Sequence, residues 1–137
     1  DRQTWIKFLR FVLKSKCGSN QKSDSLFILR NEIIKLGQKG QDTNELLSDV
    51  INSLKIEKEW VLRVILVLSM KKILQMIPTS YDCIIDTVLD LVKDQSEFKE
   101  VRSFCLDILE LSKNLSKEAL EIISNIANNS SDKIAEK

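Results

Sequence analysis

Few residues of this chain could do chemistry, and histidine is missing from all 137 positions. Its absence excludes Ser-His and Cys-His nucleophilic pairs and most zinc sites. Three scattered glycines cannot cradle a phosphate group, and the sequence contains neither the GxGxxG nor the P-loop pattern. The SxxK pattern occurs at Ser69 to Lys72 and at Ser96 to Lys99, where a lysine-rich helical sequence produces it by chance. We therefore expect no enzymatic activity, no metal site and no cofactor.

Three aspartates, Asp82, Asp86 and Asp90, recur at every fourth position. In a helix this spacing places all three carboxylates on one face. A single helix face supplies too few converging oxygens for a calcium ion. The acidic row therefore predicts either a solvated surface or a surface that contacts a partner.

Lys7, Arg10 and Lys14 form a basic row of the same kind near the start of the chain. The acid in this helix is Asp1, which lies too far along it to pair with Lys14. The nearest carboxylates in the repeat, Glu45 and Asp49, could screen only part of the row, so we expect it to keep most of its charge. Such a row is typical of a solvated face or of a binding surface. Phe11 lies on the same side of the helix and predicts either an exposed anchor for a partner or packing against the neighbouring loop.

The composition predicts one globular module. With 43% hydrophobic and 30% charged residues, the chain can form one domain with a core, and its 137 residues are too few for two. Its 21 basic and 20 acidic residues give a net charge of +1, so no global field draws it to nucleic acid or anionic lipid. The cysteines, Cys17, Cys83 and Cys105, are odd in number and lack CxxC spacing, which predicts reduced thiols in an intracellular compartment, the cytoplasm or the nucleus.

The most apolar stretch, EWVLRVILVLSMKKILQMIP at 59–78, poses the question of a membrane span. A span needs roughly 20 largely apolar residues. Arg63, Lys71 and Lys72 interrupt this stretch, and each would cost about 2.5 to 3.5 kcal/mol near the bilayer centre. We therefore interpret the stretch as a buried helix with neighbours on several sides and expect no membrane span.

Apolar residues recur with helical spacing between the glycines and the one proline, which predicts an all-helical chain. Gly37, Pro78 and a capping box of Asp42 with Glu45 mark helix boundaries. We expect seven helices, at about 3–16, 25–37, 42–55, 59–77, 79–93, 96–113 and 116–128. Residues 1–128 would form one helical-repeat module of a larger protein, and the polar tail 129–137 would be frayed.

A shift of 38 residues aligns the first, third, fifth and seventh helices. Four apolar columns result, which we expect to be buried: Phe8, Leu46, Ile84 and Ile122; Leu9, Leu47, Ile85 and Ile123; Val12, Val50, Val88 and Ile126; Leu13, Ile51, Leu89 and Ala127. The even-numbered helices align more loosely, at shifts of 35 and 40 residues. Because one helical hairpin cannot bury its apolar face alone, the period predicts stacked hairpins with the fourth helix near the middle.

In this period and helix pairing the chain resembles the armadillo and HEAT family of helical repeats, from Trp5 to Asn128. The segment VRSFCLDILELSKNLSKEALEIISNIA, with Arg102 near its start, is similar to one such repeat. The resemblance implies a right-handed α-α superhelix built from antiparallel helical pairs. It also implies that the first helix corresponds to the second member of a pair.

The odd-numbered helices would expose a polarised face: basic at Lys7, Arg10 and Lys14, mixed at Glu45, Ser48, Asp49 and Asn52, and acidic at Asp82, Asp86 and Asp90. Such a face suits a peptide or helix of opposite polarity, because charge complementarity sets its register. We therefore expect a non-catalytic scaffold that binds a protein partner, whose acidic or phosphorylated stretch contacts the basic row. Reversal of Arg10 and Lys14 to Glu should then slow association and change stability by no more than about 0.5 kcal/mol.

Two other functions stay open at this point. A nucleic-acid-binding helical repeat would use the basic end, and the near-neutral net charge and the acidic row count against it. A compact superhelical domain that reads phosphorylated tails or lipid headgroups would use the region Lys7–Lys22.

Overall fold

The computed structural model describes residues 2–14, 18–111 and 117–128, and every secondary-structure element in these ranges is helical. Seven α-helices lie there: α1 Arg2–Lys14, α2 Ser19–Gln38, α3 Asn44–Ile56, α4 Trp60–Met76, α5 Tyr81–Lys93, α6 Lys99–Glu110 and α7 Lys117–Asn128. A short 3₁₀ turn, Pro78–Ser80, precedes α5. The predicted all-helical class is confirmed for these ranges, and the predicted tail 129–137 lies outside them.

α2 begins at Ser19 rather than near Ser25. The sequence predicts a loop there because the intervening residues are polar. Tertiary contacts hold this turn in the helix, since Lys22 Nζ lies 3.3 Å from Glu57 Oε1 and Ser25 is buried. Local polarity is therefore a weak guide where a neighbouring hairpin supplies the partners.

The predicted capping box of Asp42 with Glu45 does not form, because Thr43 is the residue before α3 and its side chain does not cap the helix there. Asp42 Oδ1 accepts a hydrogen bond of 2.9 Å from the backbone N–H of Asn44. Glu45 instead reaches Arg10 of α1, at 3.0 Å. The acid that sequence reasoning assigns to the helix end thus joins two helices.

The helices pack in two rows. The odd row consists of α1, α3, α5 and α7, which contact one another in succession, and the even row consists of α2, α4 and α6, which do the same. Between the rows, α1 packs on α2, α3 on α4 and α5 on α6. These contacts put the odd-numbered helix first in each hairpin, which differs from the expectation that α1 is the second member of a pair.

α4 lies at the centre of the fold, as the sequence predicts, because it contacts α2, α3 and α6. Its inner side is buried at Leu62, Leu66, Val67, Met70, Ile73 and Leu74. Within the described ranges no helix combines the length and the apolar character needed to cross a bilayer.

The 38-residue columns are buried most completely in the middle of the odd row. Leu47, Val50 and Val88 have no exposed surface. Three further predicted core residues, Ile85, Ile123 and Ile126, are partly buried and pack against the core. The side chains of Val12 and Leu13 lie outside the described part of the structure.

Phe8 corrects the prediction of a fully buried column. Its side chain is 52% exposed, whereas Ile84 in the same column is completely buried. α1 is the first described helix of the odd row and has one odd-row neighbour, α3, while α5 lies between α3 and α7. A helix with a neighbour on one side cannot bury both flanks of its apolar stripe.

Arg63 joins two hairpins. Its Nη1 donates to the carbonyl oxygen of Leu54 in the last turn of α3, and its Nε lies 3.1 and 3.2 Å from the two carboxylate oxygens of Glu97. Arg102 occupies the equivalent place in the next hairpin and donates to the carbonyl oxygen of Val92, in the last turn of α5, at 2.7 and 3.0 Å. Each arginine thus satisfies backbone oxygens that the end of a helix leaves open.

The contacts of Lys22 and Arg63 define how the even-numbered helices correspond. Each cation bonds to a glutamate in the following hairpin, 35 and 34 residues further along the chain. Arg63 and Arg102 occupy equivalent positions, because each donates to a backbone oxygen in the last turn of the odd-numbered helix before it. In this alignment Val61, which is 42% exposed, does not correspond to the buried Val101. The predicted shifts of 35 and 40 residues are therefore wrong.

Candidate partner-binding surface

The outward side of α1 carries two exposed phenylalanines beside a lysine. Phe8 is 52% and Phe11 is 67% exposed, and Lys7 is exposed as well. The opposite side of the helix holds the buried Ile6 and Leu9. Residues three and four apart are neighbours on a helix, so Lys7 and Phe8 both lie beside Phe11. Of the two interpretations of Phe11, solvent exposure is the one that the structure supports.

Sequence reasoning missed Phe8 as part of this surface. The repeat assigns it to a buried column, and periodicity alone carries no information about where a row of helices ends. The aromatic side chain of Phe8 is larger than Leu46 and Ile84 in the same column.

Arg10 does not contribute a free charge to the basic row. Its Nε donates to Asp49 Oδ2 and its Nη2 to Glu45 Oε1, the latter at 3.0 Å, so two acids of α3 hold the guanidinium. The hydrogen bond to Asp49 raises the pKa of Arg10 above its ordinary value, although burial acts in the opposite direction. The expectation that nothing internal neutralises the row is therefore wrong at Arg10.

The mixed middle of the charged face is partly as predicted. Glu45, Ser48 and Asn52 are exposed, but Asp49 is 8% exposed and is bonded to Arg10. The side chain of Lys14 lies outside the described part of the structure.

The acidic row on α5 faces solvent along its whole length. Asp82, Asp86 and Asp90 are all exposed. Asp90 Oδ1 lies 3.7 Å from Lys93 Nζ one turn further on, and both side chains remain largely in solvent. Asp82 and Asp86 form no ion pair with any residue that the structure describes. The row therefore keeps most of its negative charge.

α3 packs beside α5 and carries no cation at the repeat positions equivalent to this row. The exposed side chains of α3 nearest in repeat position, Asn44, Ser48 and Asn52, are uncharged. Cys83 Sγ donates to Asn44 Oδ1 at 3.3 Å, which fixes the contact of α5 with α3. In the described ranges no three carboxylate or thiol groups converge in a way that could hold a metal ion.

Two of the three cysteines are described, and both are free thiols. Cys105 has no exposed surface, and burial raises the pKa of its thiol to about 12, with Glu97 acting in the same direction. Cys83 is exposed on α5. Cys17 lies outside the described residues.

The structure thus offers two surfaces on the odd row: an apolar and basic one on α1 and an acidic one on α5. α3 lies between them and contacts both helices. No protein-family model, no curated protein and no solved structure matches the chain.

Proposed function

We propose that the chain is a non-catalytic scaffold module that holds a segment of another protein against the outward side of α1. The proposal is carried by the exposed pair Phe8 and Phe11 beside Lys7, which together are called the α1 surface below. Interfaces depend on a few aromatic anchors surrounded by polar groups. Two phenylalanines more than half exposed supply such anchors, and the packed rows of helices behind them supply a fixed support.

The partner segment is a helix or peptide that combines apolar residues with acidic or phosphorylated ones. Lys7 supplies the positive charge, and Glu45 and Asp49 offset that of Arg10. Exposed charges chiefly steer and orient a partner, whereas buried aromatic area supplies affinity. Phe8 and Phe11 would therefore determine how tightly the segment binds, and Lys7 how fast it arrives.

The acidic row on α5 extends this contact for an elongated partner. Asp82, Asp86 and Asp90 would bind a basic stretch at the far end of the same segment, so the segment could bind in one direction only. The two-row packing supports an armadillo-like or HEAT-like repeat, with its right-handed superhelix, as the architecture of this scaffold.

Selection of short peptides from a display library on the immobilised chain tests the proposal. Fluorescence anisotropy then measures the binding of an enriched peptide to the chain and its variants. We expect enriched peptides to carry acids beside aliphatic residues and to bind less tightly as salt rises. Phe11→Ala should weaken binding about tenfold or more, and Lys7→Glu should slow association.

Leu120→Ala is the matched control, because Leu120 is also an exposed apolar residue, at 52% against 67% for Phe11, and lies on a different helix of the odd row, α7. It should leave binding unchanged. Peptides that bind both α1 variants as well as the original chain would show that the binding site lies elsewhere. Tighter binding of RNA or DNA than of any selected peptide at physiological salt would favour a nucleic-acid-binding function instead.

A further inference from the structure

α4 has an apolar outward side in addition to its buried side. Val61 and Leu68 are 42% and 38% exposed on the side of the helix away from the buried residues. Ile65 lies between them at helical spacing, is partly buried and packs against the edge of the core. Lys72 follows Leu68 one turn later and is exposed. Packing within the fold accounts for the inner side of α4 and for part of Ile65, and it leaves the exposed surface of Val61 and Leu68 without a contact of this kind. Contiguous exposed apolar surface of this kind marks an interaction site.

The apolar surface continues onto α2. The offset that aligns Lys22 with Arg63 also aligns Phe27 with Leu68, and α2 packs beside α4. Phe27 is 55% exposed, and the guanidinium carbon of Arg30 lies 4.4 Å from the centre of its ring. Phe27, Val61, Ile65 and Leu68 are called the α2–α4 patch below.

The patch ends at α6, where polar residues occupy the corresponding positions. When Arg63 of α4 is aligned with Arg102 of α6, Glu100 is equivalent to Val61, and Asp107 is equivalent to Leu68. Asp107 Oδ2 lies 4.0 Å from Lys71 Nζ of α4, so an ion pair borders the patch on this side. The apolar surface is therefore confined to two neighbouring helices.

The charges around the patch are polarised along these two helices. Asp24 and Glu59 lie toward the starts of α2 and α4, Lys35 and Lys72 lie toward their ends, and all four side chains are exposed. The two starts lie at the same edge of the fold, because Lys22 in the first turn of α2 bonds to a carboxylate just before α4. Lys58 is also exposed and lies beside Glu59, so the first edge is acidic on balance, whereas the opposite edge is basic.

We propose that the α2–α4 patch is the surface through which two copies of this chain associate, with their helices antiparallel across a two-fold axis. In this arrangement the acidic edge of each copy meets the basic edge of the other, and Phe27 and Leu68 meet their counterparts near the axis. A two-fold interface must be self-complementary in this sense, and complementary charge fixes its orientation. The patch lies on the even row and leaves the α1 surface on the odd row free for a partner.

Sedimentation velocity over a range of concentrations tests the association. We expect the original chain to be in a monomer–dimer equilibrium. Leu68→Asp should raise the dimer dissociation constant about tenfold or more, whereas Leu120→Asp, at an exposed apolar residue of the odd row, should leave it unchanged. Circular dichroism checks that both variants fold. A chain that stays monomeric up to millimolar concentration, or a Leu68→Asp variant that folds and dimerises normally, overturns the proposal.

Two charge variants test the antiparallel arrangement without touching the apolar residues. One carries Lys35→Glu and Lys72→Glu, and the other carries Asp24→Lys and Glu59→Lys. Each should dimerise at least several-fold less tightly than the original chain when alone, because both edges of its patch then carry the same charge. An equal mixture of the two should dimerise at least as tightly as the original chain. A mixture that associates no better than its components contradicts the charge-matched arrangement.

Discussion

α1 and α5 occupy equivalent places in the odd row and both point charged side chains outward, but the fate of these charges differs. Arg10 of α1 is held by Glu45 and Asp49 of α3. Asp82 and Asp86 of α5 form no ion pair with a described residue. The same helix, α3, lies beside α1 and α5. It presents carboxylates to α1 and an uncharged side-chain amide to α5. A row of like charges in a sequence therefore marks a free surface only when its neighbour lacks the opposite charge.

The apolar sides of α1 and α5 also differ, in how completely they are buried. Phe8 on α1 and Ile84 on α5 share one column of the repeat, yet Phe8 is 52% exposed and Ile84 is completely buried. Among the described helices, α5 has an odd-row helix on each side, and α1 has one, α3, on a single side. A column position that is buried in α5 is therefore exposed in α1, and the α1 surface consists in part of that position.

The sharpest test of this contrast is truncation of the two equivalent residues. Ile84→Ala should lower the free energy of unfolding by about 2 to 5 kcal/mol, because it leaves a cavity in a packed core. Phe8→Ala should cost about 1 kcal/mol or less, because much of that side chain is already in water. Urea unfolding of the two variants measures both values. Equal losses of unfolding free energy for the two variants would contradict the difference in burial between Phe8 of α1 and Ile84 of α5.

Charge reversal at Arg10 should have the next largest effect. Arg10→Glu removes charged hydrogen bonds and places a third carboxylate near Glu45 and Asp49, so we expect a loss of about 1.5 to 3 kcal/mol. This replaces the sequence-based expectation of a neutral substitution. Lys7→Glu, on the exposed side of the same helix, is the control and should stay within about 0.5 kcal/mol.

A double-mutant cycle isolates the pair itself. Arg10→Met and Asp49→Asn should each destabilise the chain, and the double variant should cost less than their sum, since the two residues interact directly. Strictly additive costs in chemical unfolding would show that the pair contributes nothing of its own.

Thiol labelling should show that solvent reaches the outward side of α5. In a Cys17→Ser background, Cys83 should react quickly because it is exposed. Cys105 should react only on unfolding, because it is buried and the pKa of its thiol is about 12. Labelling by a chromogenic disulfide, followed over time with and without denaturant, separates the two. Rapid reaction of both cysteines in the native state would contradict the burial of Cys105.

Charge reversal within the acidic row should have the smallest effect. Asp86→Lys should change the free energy of unfolding by no more than about 0.5 kcal/mol, since Asp86 is exposed and has no described ion-pair partner. Its melting temperature should match that of the original chain. A clear loss of stability would mean that α5 depends on the carboxylate of Asp86, as α1 depends on Arg10.

The sequence predicts the buried centre of the fold better than its charged surface. Leu47, Val50 and Val88 follow from helical spacing and the 38-residue period, because burial there needs only that every helix of the row has neighbours. The pairing of Arg10 with Asp49 depends on how α1 sits against α3, and helical spacing within either helix carries no information about it. The repeat does place Glu45 and Asp49 near the basic row, but it predicts only partial screening, because the direct bond to Arg10 depends on the contact of α1 with α3.

The sequence also predicts the start of α2 poorly. Polar residues after Ser19 predict a loop, and only the contact of Lys22 with the next hairpin explains why they are helical. The even-numbered helices likewise need Arg63 and Arg102 for their alignment, because apolar residues recur so often on α4 that several shifts fit. Long-range polar contacts thus fix the register where apolar spacing leaves it ambiguous.

Arg63 has a consequence for how the chain unfolds. Its guanidinium is bonded to the carbonyl oxygens of Leu54 and Glu57 in one hairpin and to the carboxylate of Glu97 in the next. If either hairpin opened alone, the largely desolvated charge of Arg63 would lose its partner. Because that loss costs free energy, both hairpins should open together. Repeat proteins with weak interfaces unfold unit by unit. The hairpins α3–α4 and α5–α6 should therefore exchange their amide hydrogens as one cooperative block.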